Sequence, residues 1–332
     1  MSLYESDKLP ATSAAALREF DDRYLAAQGV VPPPNWAQEF GDIGATNAML
    51  TTYPISQLSG RYEETKGDPR FKTAREASFD VKVLEFDLGY EARLVDLLTK
   101  VFAYRKWNEA AGRFTVAEQR HIARSVATIL EAGTTSAQNW EDPSGAVKFF
   151  DDSHPANFAE PGLATFSNYQ ATPKDPNSIA NIMSECSAME AEVRDENGDK
   201  LGVSPDVIML PTEKYRLVDA LLKQAQVSAG NGTGVPGGGT TTMSNPLAGL
   251  RAVHNPQLTD PNDWYLIDST LIRQLPPWAG LRFSPGGVLE LREWNEGSDF
   301  FLNTGKIKKS SHIWYGFGLV FPHAIRKIVG AS

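Results

Sequence analysis

The stretch from Thr115 to Gly133 restricts the fold of this chain more than any other. Ala117, Ile122, Val126, Ile129 and Leu130 recur at helical spacings, while Gln119, Arg120 and Arg124 fill the opposite side. That pattern predicts one long helix with a single apolar stripe, called the spine below. Thr115 and Glu118 stand three apart, as a capping box requires, and Gly133 offers a left-handed stop. At 1.5 Å per residue the helix would be roughly 25 Å long, enough to brace a sheet. An ordinary core helix of an enzyme would carry the same periodicity, so the flanking sequence has to decide.

A chain of 332 residues has ample material for one large or two modest domains. Its net charge of −9 opposes phosphate backbones, which argues against tight general nucleic-acid binding. Cys186 is the single cysteine, so neither an intrachain disulfide nor a thiolate metal cluster can form. The first 25 residues are charged and lack the apolar core of a secretion signal. The longest apolar run, Ile313–Pro322, falls far short of the ~20 residues a spanning helix needs. These features predict a soluble protein made in a reducing compartment.

Residues 1–52 read as an arm. A helix is expected from Ser13 to Leu25, then an extended, semi-rigid passage through Pro32, Pro33 and Pro34. Leu25, Val30, Val31, Trp36 and Phe40 are too scattered for a local core, so the arm needs another surface, its own body's or a neighbour's. Residues 53–84 read as an extended loop. Phe79, Val81 and Val83 alternate on one face and Leu84, Phe86 and Leu88 on the other, a phase slip that a β-bulge would produce. Within the loop, Arg61, Glu63, Glu64, Lys66, Asp68, Arg70 and Lys72 mix both signs of charge with few apolar residues. Such a stretch is either a solvated hairpin tip or a projection that pairs with a partner, and its length favours the second.

Leu94, Leu97, Leu98, Val101 and Phe102 predict a helix ending near Trp107–Gly112, before the spine. Asp175, Pro176 and Ser178 open another, whose inward face is Ile179, Ile182, Met183, Cys186, Met189 and Val193. Val207–Leu210 reads as a buried strand, Thr212 as the cap of the next helix, and Arg251–Val253 and Trp264–Ile267 as further strands. Residues 173–284 thus form an α/β block of their own. The tail supplies strands around Val288–Leu291, Ile307 and Ile313–Phe321, which should complete a sheet with the 79–88 strand and the spine.

Four places in the chain carry residues that suggest chemistry. Asp151, Asp152 and His154 are close in sequence, but metal ions usually draw their three or four ligands from several segments, so a local turn before a proline fits them better. Gly232–Gly237 matches a dinucleotide-binding pattern, yet it follows a helix and contains a proline where a helix should begin. His121, His154, His254, His312 and His323 show no acid–base–nucleophile spacing, although such a triad is recognised by geometry. Lys306, Lys308, Lys309 and His312 read as a solvated strand edge guarded by lysines. No catalytic, cofactor-binding or metal-ligating residue is therefore assigned, and no cofactor is expected.

The order of parts resembles the major capsid proteins of tailed phages, with the Hong Kong 97-type α+β fold. Phe149–Pro155 is similar to the Phe-Phe-Asp-x-x-His-Pro stretch of major head proteins like that of phage Mu. Leu201–Pro211 is similar to their Leu-Gly-hydrophobic-x-Pro segment, and Asp263–Ile267 after a proline-rich turn fits as well. The resemblance implies an N-terminal arm (1–52), an extended loop (53–84), a peripheral domain (85–172 and 285–332, spine about 115–133) and an axial domain (173–284). It implies a major capsid protein of a tailed double-stranded DNA phage, forming pentamers and hexamers of an icosahedral head, made in the host bacterial cytoplasm and ending in the virion. Its partners would be many copies of itself, the portal and any scaffold or decoration proteins, with no membrane and no sequence-specific DNA contact. On this reading the seven charged loop residues and Trp36 meet neighbouring subunits, and Gly230, Gly234 and Gly238 lie in a pliable loop at the capsomer centre. The alternatives are an encapsulin-like compartment shell and, more distantly, a metal-dependent α/β enzyme.

Overall fold

The fold comes from a computed structural model that describes residues 12–28, 35–46, 50–56, 76–135, 147–156, 164–195, 198–229, 241–283 and 290–331. Among these the helices are α1 (Ser13–Gln28), α2 (Asn35–Glu39), α3 (Leu94–Thr99), α4 (Val101–Ala132), α5 (Ile179–Glu192), α6 (Thr212–Leu222) and α7 (Asp299–Thr304). The first strands are β1 (Asp42–Thr46), β2 (Leu50–Ser56), β3 (Glu76–Lys82) and β4 (Leu84–Arg93). Short strands β5 (His154–Pro155), β6 (Thr165–Phe166) and β7 (Tyr169–Gln170) precede β8 (Val207–Leu210), β9 (Gln226–Ala229), β10 (Thr241–Ser244), β11 (Arg251–His254) and β12 (Trp264–Ile267). The tail holds β13 (Trp278–Phe283), β14 (Glu290–Trp294), β15 (Lys306–Leu319) and β16 (Ile325–Ile328).

Two five-stranded sheets carry the structure. The first is built around the 14-residue β15, which pairs with β13 and β14 along one edge and with β4 along the other. The second runs β11-β8-β12-β16-β7 and is mixed in direction. Its strands β8 (VIML), β12 (WYLI) and β16 (IRKI) are buried at every position. Near-continuous apolar runs such as β8 and β12 belong to strands covered on both faces, while β16 buries Arg326 and Lys327 as well. α4 braces both sheets. Tyr315 Oη of β15 donates to Glu118 Oε1 at 2.8 Å, while Val126, Ile129 and Leu130 share a core with Met209 of β8 and Tyr265 of β12.

The spine helix is longer than its periodicity predicts. It begins at Val101, because Trp107, Ala110, Ala111 and Phe114 extend the apolar stripe through Gly112. Thr115 is therefore a buried mid-helix residue, and Glu118 turns to Tyr315, so the expected capping box does not exist. Gly133 ends the helix with an ordinary right-handed φ of −62°. Its smallness matters instead: a Cβ there would lie 2.8 Å from Phe150 Cδ2 and 3.1 Å from Leu319 Cδ1.

Other elements shift for local reasons. The phase slip at residues 83 and 84 is no bulge within one strand, since β3 pairs with β2 and β4 pairs with β15 in a different sheet. Pro176 precedes α5, whose cap is the Ser178 side chain accepting from Asn181 N. Thr212 is the first residue of α6, and its hydroxyl meets His254 Nε2 at 3.0 Å. The tail divides: β14 and β15 join the first sheet, β16 the second, and β13, expected within the 173–284 block, lies between β1 and β15.

Candidate assembly surface

The described part of the arm lies on the chain's own body. Leu17, Phe20 and Tyr24 of α1 pack on Trp107, Phe114 and Ile307, with Phe20 ring centroids 5.1 Å from Trp107 and 5.4 Å from Phe114. Polar contacts fix the register of the helix. Trp107 Nε1 donates to Ala16 O at 3.1 Å, and Glu19 accepts from Asn108 Nδ2 at 3.1 Å and from the Tyr104 hydroxyl. Burial, and after it that carboxylate, push the Tyr104 hydroxyl up to about 12, so it stays a neutral donor.

The lysine cluster of β15 is no solvated edge, for β15 is the central strand. Lys309 is 2% exposed and held between Asp21 of α1 at 2.7 Å and Glu293 of β14 at 3.0 Å. Trp36, expected at a neighbour, is 6% exposed in its own core, edge-on to Trp278 at 6.2 Å. Trp278 Nε1 donates to Ala37 O at 2.8 Å, which locks α2 to β13. Arg61, Glu63, Glu64, Lys66, Asp68, Arg70, Lys72, Gly230, Gly234 and Gly238 lie outside the described residues.

An open groove of about 1120 Å³ separates α4 from the β4 side of the first sheet. Phe86, Leu88, Ala117 and Ile313 give it an apolar floor. Leu84 and Leu88 are 51% and 42% exposed on β4, whose outer edge pairs with no other strand among the described residues. Arg113 on the rim pairs with Glu109 at 3.5 Å, whereas Arg120 and Arg124 enter no ion pair among the described residues. His121, against Phe86 at 4.1 Å, is pushed below the usual imidazole range by burial and then by Arg124. The sequence assigned Arg120 and Arg124 to the solvent side of the spine. Nothing in it signalled that an unpaired strand runs beside them.

Two histidine arrangements escaped the sequence. Ser310 Oγ meets His312 Nε2 at 2.9 Å, and His312 Nδ1 meets Glu85 Oε1 at 3.0 Å. The order matches a serine–histidine–acid relay, but Ser310 is 1% exposed in the middle of a central strand, where no acyl group can reach it. The string ties β4 to β15. In the Phe149–Pro155 stretch, His154 Nε2 lies 2.8 Å from Phe149 O and 3.0 Å from Asn168 Oδ1, both acceptors, so its proton is on Nε2. Asp151 accepts from Ser153 N at 3.0 Å, which is the predicted local turn. Phe166 is stacked between His154 and His323, 5.1 and 4.7 Å away. Burial, and then His154, drive His323 down to about 3.

A family model described as phage capsid protein matches residues 90–328. Among solved structures, the procapsid of bacteriophage JBD30 is similar at a TM-score of 0.51 and 14% identity, over 98% of this chain and 77% of that one. A protein of Microbacterium phage Oxtober96 gives 0.51 at 9% identity, over 89% and 90%. The capsid of a native GTA particle gives 0.50 at 14%, over 92% of both chains. No curated protein matches the sequence.

Proposed function

Because this chain belongs to the phage capsid protein family, we propose that it is the major capsid protein of a tailed double-stranded DNA phage, assembling as pentamers and hexamers into an icosahedral head that encloses the genome. The observation that carries the reading is the family match, which takes in the long helix, the second sheet, and strands β13, β14 and β15 of the first. A fold like that of the JBD30 procapsid over 98% of the chain supports it. So does the net charge of −9, since an acidic lining suits DNA that must be pushed in and later released. On this reading the copies meet one another, the portal and any scaffold or decoration proteins, and the mature location is the virion. The charged loop residues Arg61, Glu63, Glu64, Lys66, Asp68, Arg70 and Lys72 would pair with neighbouring copies, where weak ion pairs repeat around every ring. Gly230, Gly234 and Gly238 would sit toward the capsomer centre.

The test is negative-stain microscopy and sedimentation of the purified chain, with scaffold supplied. Hollow polyhedra that hold DNA when isolated from infected cells are the expected result. A stable small oligomer at high concentration would overturn the reading, and small shells packed with one protein cargo would point to a compartment instead. Reversing Arg61, Lys66 and Arg70 to Glu should leave the copy folded and lower shell yield; an unchanged yield would remove the loop from the interface.

A further inference from the structure

The groove beside β4 has two unmet demands. One is geometric: β4 offers ten residues of strand whose outer edge is unpaired among the described residues, and such an edge pairs readily with an added strand. The other is electrostatic: Arg120 and Arg124 stand one helical turn, about 6 Å, apart on the rim with no carboxylate partner among the described residues. Residues two apart in a strand point the same way and are about 6.6 Å apart. An extended segment with two acids spaced in this way, and an apolar residue two positions before them, would match both the rim and the floor. Of the stretches outside the described residues, only 1–11 holds two carboxylates two apart, Glu5 and Asp7, with Leu3 on the same side.

We propose that the groove takes residues 3–7 of a second copy, as a strand added to the free edge of β4, with Glu5 and Asp7 on Arg120 and Arg124 and Leu3 on the floor near Ala117. α4 and β4 run in opposite directions, since Trp107 meets Tyr90 and His121 meets Phe86. A segment laid with Leu3 near Ala117 and Asp7 near Arg124 therefore runs antiparallel to β4, the more stable ladder. A second copy is favoured over the chain's own start by position. Ser13 and Ala14, where α1 begins, border Glu293 and Asn295 beside β14, on the opposite side of β15 from β4. The inference rests on the shell reading and deepens it.

The test is amide hydrogen exchange of residues 84–93 in full-length particles against dissociated copies, together with assembly yield. Wild-type particles should protect this stretch further. Glu5→Lys/Asp7→Lys and Arg120→Glu/Arg124→Glu should each remove the added protection and cut yield about tenfold, and the four changes combined should restore both. Arg120 and Arg124 are exposed and Glu5 and Asp7 lie outside the described residues, so circular dichroism of each variant should match the parent. Particles of the Glu5→Lys/Asp7→Lys variant with full protection of 84–93, or a fourfold variant no better than the pairs, would overturn the inference while leaving the shell reading intact. Equal protection in dissociated copies, lost on Glu5→Lys/Asp7→Lys, would assign the groove to the chain's own segment and overturn it too. A wild-type chain that never assembles would sink both.

Discussion

Each of the two sheets buries a cation on an inner strand, and the two are neutralised differently. Arg326 of β16 gives its Nε to Glu185, itself 1% exposed, at 2.9 Å, and an Nη to Glu192 at 2.7 Å. Lys174 completes the set on Glu185. Lys309 of β15 is buried as deeply, but its partners Asp21 and Glu293 are 37% and 44% exposed. The second sheet thus rests its cation on one fully buried carboxylate, with Glu192, 44% exposed, as the outer partner. The first needs the arm helix α1 to supply a carboxylate and a lid of Phe20 and Tyr24. A copy whose one sheet is self-sufficient and whose other is finished by added segments has the division of labour that a shell-forming chain requires.

The contrast predicts unequal costs. Arg326→Met should be the more damaging of the two charge removals, since it leaves Glu185 buried with only Lys174 beside it; about 3–5 kcal/mol should be lost in urea unfolding at pH 7. A loss below about 1 kcal/mol would mean that water reaches the network. Acid should attack the same region through His323. Its folded value of about 3 lies below the ordinary 6.5, so the unfolded chain binds the proton first. That contribution is complete above pH 6.5 and fades as pH falls toward 3, by about 1.4 kcal/mol per unit at most, or roughly 2 kcal/mol at pH 5. His323→Phe, which keeps the stack on Phe166, should flatten the pH dependence of the urea midpoint between 7 and 5.

Lys309→Met should cost less than Arg326→Met, about 1 kcal/mol, although Lys309 is equally hidden. Its methylene body is kept by Met, and Asp21 and Glu293 can turn to water once the ammonium is gone. The sharper readout is local: amide exchange within α1 should rise more than exchange in β8 or β12. Uniform acceleration in both sheets would erase the proposed difference between them.

Much of this was legible in the sequence. The apolar runs at 207–210 and 264–267 are short, continuous and free of alternation, and such runs leave little room for anything but buried strands. The α+β class and the capsid resemblance rested on these and on the Phe149–Pro155 turn. What failed was whatever depended on contacts far apart in the chain. Thr115 and Glu118 satisfy a local capping rule, yet Tyr315, almost 200 residues on, takes Glu118, and α1 takes the helix face upstream. Lys309 reads as a guard of a strand edge until Asp21 is placed over it. The groove was invisible for the same reason: an unpaired edge is a property of the sheet, and no spacing within residues 84–93 encodes it.

The smallest expected effect concerns Phe102, which is 68% exposed near the start of α4 with the Lys106 ammonium 4.5 Å above its ring. Phe102→Ala forfeits an exposed cation–π contact of about 0.5–1 kcal/mol and a minor share of buried area. It gains Ala's advantage in helix propensity, about 0.5 kcal/mol, so the two nearly cancel and urea unfolding of an isolated copy should move by no more than about 0.5 kcal/mol. Phe20, on the facing arm helix and fully buried, is the control, with about 3–5 kcal/mol expected for Phe20→Ala. The same side chain on two helices of one sheet would then differ several-fold by location alone. A large loss at Phe102 would mean that this end of the first sheet is finished within the single copy, and the contrast with the second sheet would narrow accordingly.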